Sequence, residues 1–449
     1  MTATTAEVEL GGATAAAKKR WIYDWRPEDL AFWESQGKRI ALRNLVLSAF
    51  AEHVGFAIWS IWSVMVLFMS PAYGISPAQK FLLTTLPTLL GAAARIPYTL
   101  AIARFGARNW TVVSVLLLLI PAATLMAVMK PGTSYGVLLL AASTAGFGGG
   151  NFASSMTNIN AFYPERRKGW ALGVNAGAGN LGVAAVQLVG LAVLLNAGAT
   201  HPRYVMAVYL PLVALAAVLA WARMDNLASV RNDTKAMREL VTDRHAWIVS
   251  LLYIGSFGSF IGFSFAFGQV LLVTFAYTPT HAAELTFIGP LVGSLIRPFG
   301  GWLADRFGGA KVTLSMFLAL AGAAAVVLAA SHDHSLGLFL LGFIALFGFA
   351  GIGNGSIFKM IPAIYRATAT GASADLDARR LAGALIGIAG AIGAAGGAGV
   401  NLAFRQSFLA NQNANAAYAT FIAFYLLCAA VTFAAYLRPG IEWRRSAHL

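Results

Sequence analysis

Charge and sulfur are scarce in this chain. A single cysteine, Cys428, among 449 residues rules out an intramolecular disulfide. Only 11% of the residues are charged while 58% are hydrophobic. Soluble domains carry about 25% charged residues, so this is an integral membrane protein by composition. The sequence has no P-loop, no catalytic triad and no zinc-ligand spacing, and no enzyme is expected. The glycine-rich stretches follow no strand, which removes a dinucleotide-binding reading. His332-Asp333-His334 falls in a short polar loop with too few ligands for a metal; neither metal nor cofactor is expected. Residues 1–39 are polar and precede the first apolar run, so they read as an uncleaved cytoplasmic arm rather than a signal peptide.

Apolar runs make up most of the rest. Crossing a bilayer takes about 20 residues, and twelve runs are long enough: 42–69, 78–103, 110–129, 135–161, 170–195, 203–223, 245–275, 284–304, 311–330, 335–362, 381–402 and 416–437. Forty-six glycines suit close helix–helix approach in a membrane. The net charge of +14 is topological. With the N-terminus placed in the cytoplasm, 25 of the 32 Lys and Arg fall in cytoplasmic segments. Four fall in outer loops (Lys80, Lys130, Arg203 and Arg405), and Arg95, Arg297 and Lys359 lie within helices. That asymmetry is the positive-inside rule, so both termini are expected in the cytoplasm and nucleic acid is not an expected partner.

The chain also repeats itself. LLGAAARIPYTLAIARFG (89–106) and LVGSLIRPFGGWLADRFG (291–308) superpose with a shift of 202, matching Gly91 to Gly293, Arg95 to Arg297 and Arg-Phe-Gly to Arg-Phe-Gly. The same shift relates Gly146, Phe147, Gly149 and Tyr163 to Gly348, Phe349, Gly351 and Tyr365. A shift of 214 then relates Gly173, Gly179 and Gly182 to Gly387, Gly393 and Gly396, the difference being absorbed by a polar loop at 366–380. The expected organisation is an arm (1–39), a six-helix half (40–223), a cytoplasmic linker (224–244), a second six-helix half (245–437) and a tail (438–449). Two parallel six-helix repeats with a mid-membrane site between them are transporter architecture, worked by alternating access.

Arg95 and Arg297 are the candidate site. A guanidinium does not shed its proton in a protein, and placing one mid-membrane costs from a few to roughly 10 kcal/mol, so such residues are functional by default. Two of them on a pseudo-symmetry axis point to an anion. Glu52, ten residues inside the first run and one helical turn before Phe56, is a candidate proton carrier, and Lys359 a cation to balance it when ionised.

Two sets of motifs carry a family resemblance. GGWLADRFGGAKVTL (300–314) resembles the cytoplasmic loop signature of the major facilitator superfamily, which implies a gating role for Asp305, Arg306 and Gly308; the first-half copy, LAIARFGARNW, lacks the acidic residue. AGFGGGNFASSMTNINAFYP (145–164), GWALGVNAGAGNLG (169–182) and GIGNGSIFKMIP (351–362) resemble the nitrate signatures of the nitrate/nitrite porter (NarK-like) family. DWRPEDLAFW (24–33), RIPYTL (95–100) and SLLYIGSFGSFIGFSFAFG (250–268) extend the likeness to nearly the whole chain. The resemblance implies an all-α, twelve-helix fold, residence in the inner membrane, and nitrate as substrate, with nitrite the second candidate. It sets Phe56, Phe152, Asn180, Tyr253 and Phe257 around the arginines, with Asn175 nearby. AEHVGF (51–56) and GNGSIFKMIP resemble the proton-coupled branch, so nitrate/proton symport by a monomer is the expectation. Nitrate/nitrite exchange is the alternative. A carrier of a larger anion and a non-transporting nitrate receptor are remoter ones.

Overall fold

A bilayer core offers the backbone no hydrogen-bond partners, so each apolar run must satisfy its amides internally and coils into a helix. The computed structural model describes residues 20–230, 233–369 and 374–438. The outer parts of the expected arm and tail, 1–19 and 439–449, lie outside the described residues. The spanning helices are α1 (Leu30–Phe68), α2 (Pro77–Phe105), α3 (Ala107–Val128), α4 (135–162), α5 (Glu165–Ala197), α6 (Arg203–Arg223), α7 (Arg244–Thr274), α8 (279–307), α9 (Gly309–His332), α10 (Leu336–Thr368), α11 (Ala374–Asn411) and α12 (Asn415–Leu437). Ten are long and apolar enough to cross a membrane by length and composition alone. In α4 the glycines and asparagines of 146–158 dilute the apolarity, and in α8 Arg297 and its neighbouring prolines do so. Both are also interrupted, at Ala145 and Phe287. An even number of crossings puts both ends on one face, here the termini face; the opposite one is the far face.

The expected polar loop 366–380 is largely helical. Helix α10 continues to Thr368 and α11 starts at Ala374. Alanine, leucine and arginine are good helix formers outside the membrane as well as in it. Arg380 also fastens the start of α11 to the linker helix Thr234–Thr242, reaching Glu239 at 2.6 Å and Asp233 at 3.4 Å. A short parallel bridge joins the arm (Trp21–Ile22) to the linker (Asn226–Leu227), and Arg20 donates to the carbonyl of Ala222.

The repeat reappears as geometry. Gly106 and Gly308, related by the shift of 202, break α2 from α3 and α8 from α9 with φ of 82° and 94°, a region only glycine enters without strain. A Cβ on Gly149 would lie 2.7 Å from the Cα of Gly91, and one on Gly351 would strike the carbonyl of Gly293. Each half therefore has the same glycine-to-glycine seam between its second and fourth helices. The first and fifth helices match too. A Cβ on Gly179 would strike Glu52 and one on Gly393 would strike Tyr253. Gly182 abuts the His53 carbonyl where Gly396 abuts Ile254. Glu52 and Tyr253 are thus equivalent positions of the two halves, as are Phe56 and Phe257 one turn on.

Several bonds cross between the halves on the far-face side of the arginines. Thr84 Oγ1 donates to Asn401 Oδ1 at 2.8 Å, Gln187 Nε2 donates to the Ser264 carbonyl at 2.9 Å, and Trp59 meets Phe265 edge-on at 5.5 Å.

Candidate anion-binding site

Arg95 projects from α2 and Arg297 from α8, both buried. Arg95 donates through Nε to the Gly149 carbonyl (3.2 Å) and through Nη1 to the Gly390 carbonyl of the other half (2.6 Å). Arg297 donates through Nη2 to the Tyr253 hydroxyl at 3.0 Å. Each then keeps one nitrogen, Nη2 of Arg95 and Nη1 of Arg297, buried without a protein partner. A buried donor left unpaired costs about 1–3 kcal/mol, more when charged. Two such donors in one region form a site that an acceptor would complete.

Aromatic faces hold the guanidinium groups. The Arg95 Cζ sits 4.4 Å from the Phe152 ring centre, 5.2 Å from Phe257 and 5.5 Å from Trp59. The Arg297 Cζ sits 5.0 Å from Phe358 and 5.9 Å from Phe257. Phe257 therefore lies against both arginines, and it stacks on Tyr253 (5.1 Å, 9°) and Phe152 (6.1 Å, 28°). Phe56 backs Phe152 at 5.9 Å. Tyr253 immediately precedes a π-helical turn, Ile254–Gly258, and Phe257 lies within it; the extra residue per turn changes how the two side chains are aimed. Asn180 is buried with both amide atoms unpartnered, and so is the Ser256 hydroxyl.

Two of the expected site residues are engaged elsewhere. Asn175 does not offer its amide to the cavity: Nδ2 donates to Glu52 Oε2 (2.7 Å) and to Ser155 Oγ (2.7 Å). It tethers the carboxylate instead. Lys359 does not pair with Glu52. Its Nζ lies 2.9 Å from Asp305 Oδ2, with the two side chains 45% and 60% exposed, so it belongs to the loop motif at the termini face. A long lysine stem near a helix end reaches for the interface rather than the apolar interior. Gly308 makes the turn of that loop, and Arg306 packs over Trp302 and Phe307. Exposed ion pairs contribute about 1 kcal/mol or less. Lys359→Gln is therefore expected to leave anion affinity at the arginines unchanged, and a shift beyond about threefold, roughly 0.7 kcal/mol, in a binding titration would put Lys359 back in the site.

Phe358, Trp59 and Gly390 went unread in the sequence. Phe358 adjoins Lys359, whose charge drew the attention; Trp59 lies one turn beyond Phe56 and was findable. Gly390 acts through its carbonyl and leaves no side-chain signal. A larger cavity of about 360 Å³ lies at the termini face beside Asp243, Arg244, Tyr365 and Asp377, and neither arginine lines it.

Residues 45–400 match the model of the Major Facilitator Superfamily. The nitrate/nitrite transporter NarU of Salmonella typhimurium is 38% identical to this chain, covering 93% of it and 96% of the relative. The NarU of Escherichia coli is 36% identical over the same shares. The chain is a major facilitator of the nitrate/nitrite porter family. A probable nitrate/nitrite antiporter of Thermus thermophilus is 36% identical, over 78% of this chain and 84% of that one. Among solved structures, a D-xylose–proton symporter superposes with a TM-score of 0.66 at 17% identity, covering 88% of this porter and 96% of that chain. An inward-facing bacterial homologue of the lysosomal transporter Spinster gives 0.65 at 15% identity, covering 92% and 99%. At such identities the likeness is one of fold: twelve helices in two six-helix halves. The porter is a multi-pass membrane transporter and not an enzyme.

Proposed function

We propose that this porter carries nitrate across the inner membrane into the cytoplasm, together with protons, its two termini being cytoplasmic. The observation that carries the substrate is the pair of unpartnered guanidinium nitrogens, Arg95 Nη2 and Arg297 Nη1, on two arginines that both lie against Phe257. Nitrate is a flat monoanion with three equivalent oxygens, and a guanidinium presents donors in a matching plane. The aromatic walls of Phe152, Phe257 and Phe358 suit a flat ion and disfavour a tetrahedral one. Nitrite has the same charge and two of the same oxygens, so it is the second cargo. The charge asymmetry of the loops supports the orientation.

Coupling rests on Glu52, a fully buried carboxylate within the first half. An inside-negative potential opposes a monoanion by about 2.3 kcal/mol per 100 mV. One proton cancels that charge and two turn the potential into a driving force. Exchange of nitrate for nitrite needs no titrating group. It is the second reading, favoured by the likeness to the probable nitrate/nitrite antiporter of Thermus thermophilus and by the pairing of Lys359 with Asp305 instead of Glu52. Uptake of labelled nitrate into proteoliposomes, loaded with buffer, nitrate or nitrite and given an imposed pH gradient, separates the two. Symport gives accumulation into buffer-loaded vesicles that grows with the gradient. Uptake that requires internal nitrite and ignores the gradient makes the porter an exchanger, and a lack of any counterflow makes it a receptor.

A further inference from the structure

Behind Glu52, among α1, α3 and α4, lies a small polar chamber that the anion site does not use. Ser48, Thr111, Ser114, Asn151, Ser154 and Ser155 line it with the carboxylate itself, and all are buried. Its volume is about 10 Å³, the space one water needs. Two of the lining residues carry polar atoms without a protein partner: Glu52 Oε1, which packs against Gly179 of α5, and both amide atoms of Asn151. A bare cation could satisfy the oxygens but not the Asn151 N–H; a water, which donates and accepts, satisfies both kinds. The charged groups facing Glu52 are Arg95 of α2 and Arg297 of α8, whereas α4 and α5 present it with Ser155 and Asn175. His53, next to it on α1, is turned away to the Ala178 carbonyl at 3.0 Å.

From the chamber a row of polar side chains runs toward the termini face along α1 at helical spacing: Glu52, Ser48 and Asn44, four residues apart. Asn158 Nδ2 donates to Ser48 Oγ at 2.9 Å, and Asn158 Oδ1 is unpartnered. Asn44 Nδ2 donates to Asp225 Oδ2 at 2.9 Å, and Asp225 is paired with the half-exposed Arg43 at 2.5 Å. The bonds of Ser48 and Asn44 also hold neighbouring segments together, but at the inner end Glu52 and Asn151 keep polar atoms without a protein partner.

We propose that the chamber binds one water between Glu52 and Asn151, and that this water and the Ser48 hydroxyl pass the Glu52 proton to and from the termini face, apart from the path of the anion. Asn158 and Asn44 are positioning residues that hold the hydroxyl and the row's outer end. The hand-over balances: the protonated Glu52 carboxyl gives its proton to the water, the water releases one to Ser48 Oγ, and the Ser48 hydroxyl gives up its own to a solvent water entering from the termini face, the reverse sequence reloading Glu52. This inference rests on Glu52 being the coupling carboxylate.

The test uses the full-length porter in proteoliposomes with Ser48→Ala, Asn158→Leu and Glu52→Gln side by side. For each variant two quantities are measured, pH-gradient-driven nitrate uptake and nitrate counterflow at uniform pH. Losing a positioned proton-transfer group slows a proton-limited step by at least about tenfold, so the ratio of counterflow to driven uptake should rise by that factor in Ser48→Ala and Asn158→Leu. Their driven uptake should also show a solvent deuterium isotope effect at least as large as that of the wild type, because the slowed proton transfer then limits the rate. Wild-type ratios in both variants, with Glu52→Gln inactive in driven uptake, overturn the route. Driven uptake that survives in Glu52→Gln refutes the coupling role itself. Uptake that follows an imposed sodium gradient rather than pH makes the chamber a cation site and overturns the water.

Discussion

Arg297→Lys is expected to weaken nitrate binding by about 100-fold or more, although the charge is kept. Arg297 performs three tasks at once. Nη2 donates to Tyr253, Nη1 is left for the anion, and the flat group lies against Phe358 and Phe257. An ammonium is a point charge on a flexible stem; it cannot keep the Tyr253 bond, lie flat between rings and present an in-plane donor together. A hydrogen bond to a charged group is worth about 1.5–3 kcal/mol and a desolvated cation–π contact up to about 2 kcal/mol. Losing even the former with part of the latter amounts to about 3 kcal/mol, or two decades in the dissociation constant. Arg95→Lys is expected to behave alike, because its Nε and Nη1 already tie Gly149 to Gly390 across the halves. Isothermal titration of nitrate into purified, monodisperse variants measures this directly. Binding within threefold of wild type in either lysine variant would remove the two-arginine site.

Glu52→Gln is expected to abolish accumulation against a gradient while nitrate counterflow persists. A one-unit pH gradient supplies about 1.4 kcal/mol per proton, enough for about tenfold accumulation per proton carried. With glutamine the ratio of internal to external nitrate should fall to about one, since an amide cannot load or release the proton. The substitution suits the site. Asn175 Nδ2 can still donate to the amide oxygen as it does to Oε2, and neither Gly179 nor Asn175 need move. The readout is the steady-state nitrate ratio at a series of imposed gradients. A ratio that still climbs with the gradient in Glu52→Gln assigns the proton elsewhere, with His53 the next residue to replace.

The parts of the porter that were legible in the sequence are those where chemistry and position cannot be separated. A guanidinium within an apolar run has few ways to be tolerated, so Arg95 and Arg297 stand out as a candidate site; the repeat then relates them to one axis. The seams Gly91–Gly149 and Gly293–Gly351 were visible as aligned glycines, because only glycine permits such backbone approach. Lys359 was misread because a lysine stem spans several ångströms. Its Cα lies nine residues from the end of α10, inside an apolar run, but its charge is at the surface with Asp305. Asn175 and Asn180 are five residues apart on one helix and of one type, yet one tethers Glu52 and the other has no partner. Nothing in their spacing ranks them. Phe358 and Gly390 became visible only when α10 and α11 were brought against the arginines, which is tertiary information.

The equivalence of Glu52 and Tyr253 bears on how such a carrier diverged from its own duplicate. Two copies of a six-helix unit begin with the same residue at this corner, facing the same glycine of the fifth helix. In one copy the corner now holds a phenol that steers the arginine opposite; in the other it holds an acid bonded to an asparagine of its own half. An anion lying on the axis meets nearly the same fork and the same flat ring whichever half is viewed. Under the proposed coupling a proton would have one address, Glu52, in the first half alone. One ion would then be handled by the symmetry of the duplication and the other by its breakage at this corner.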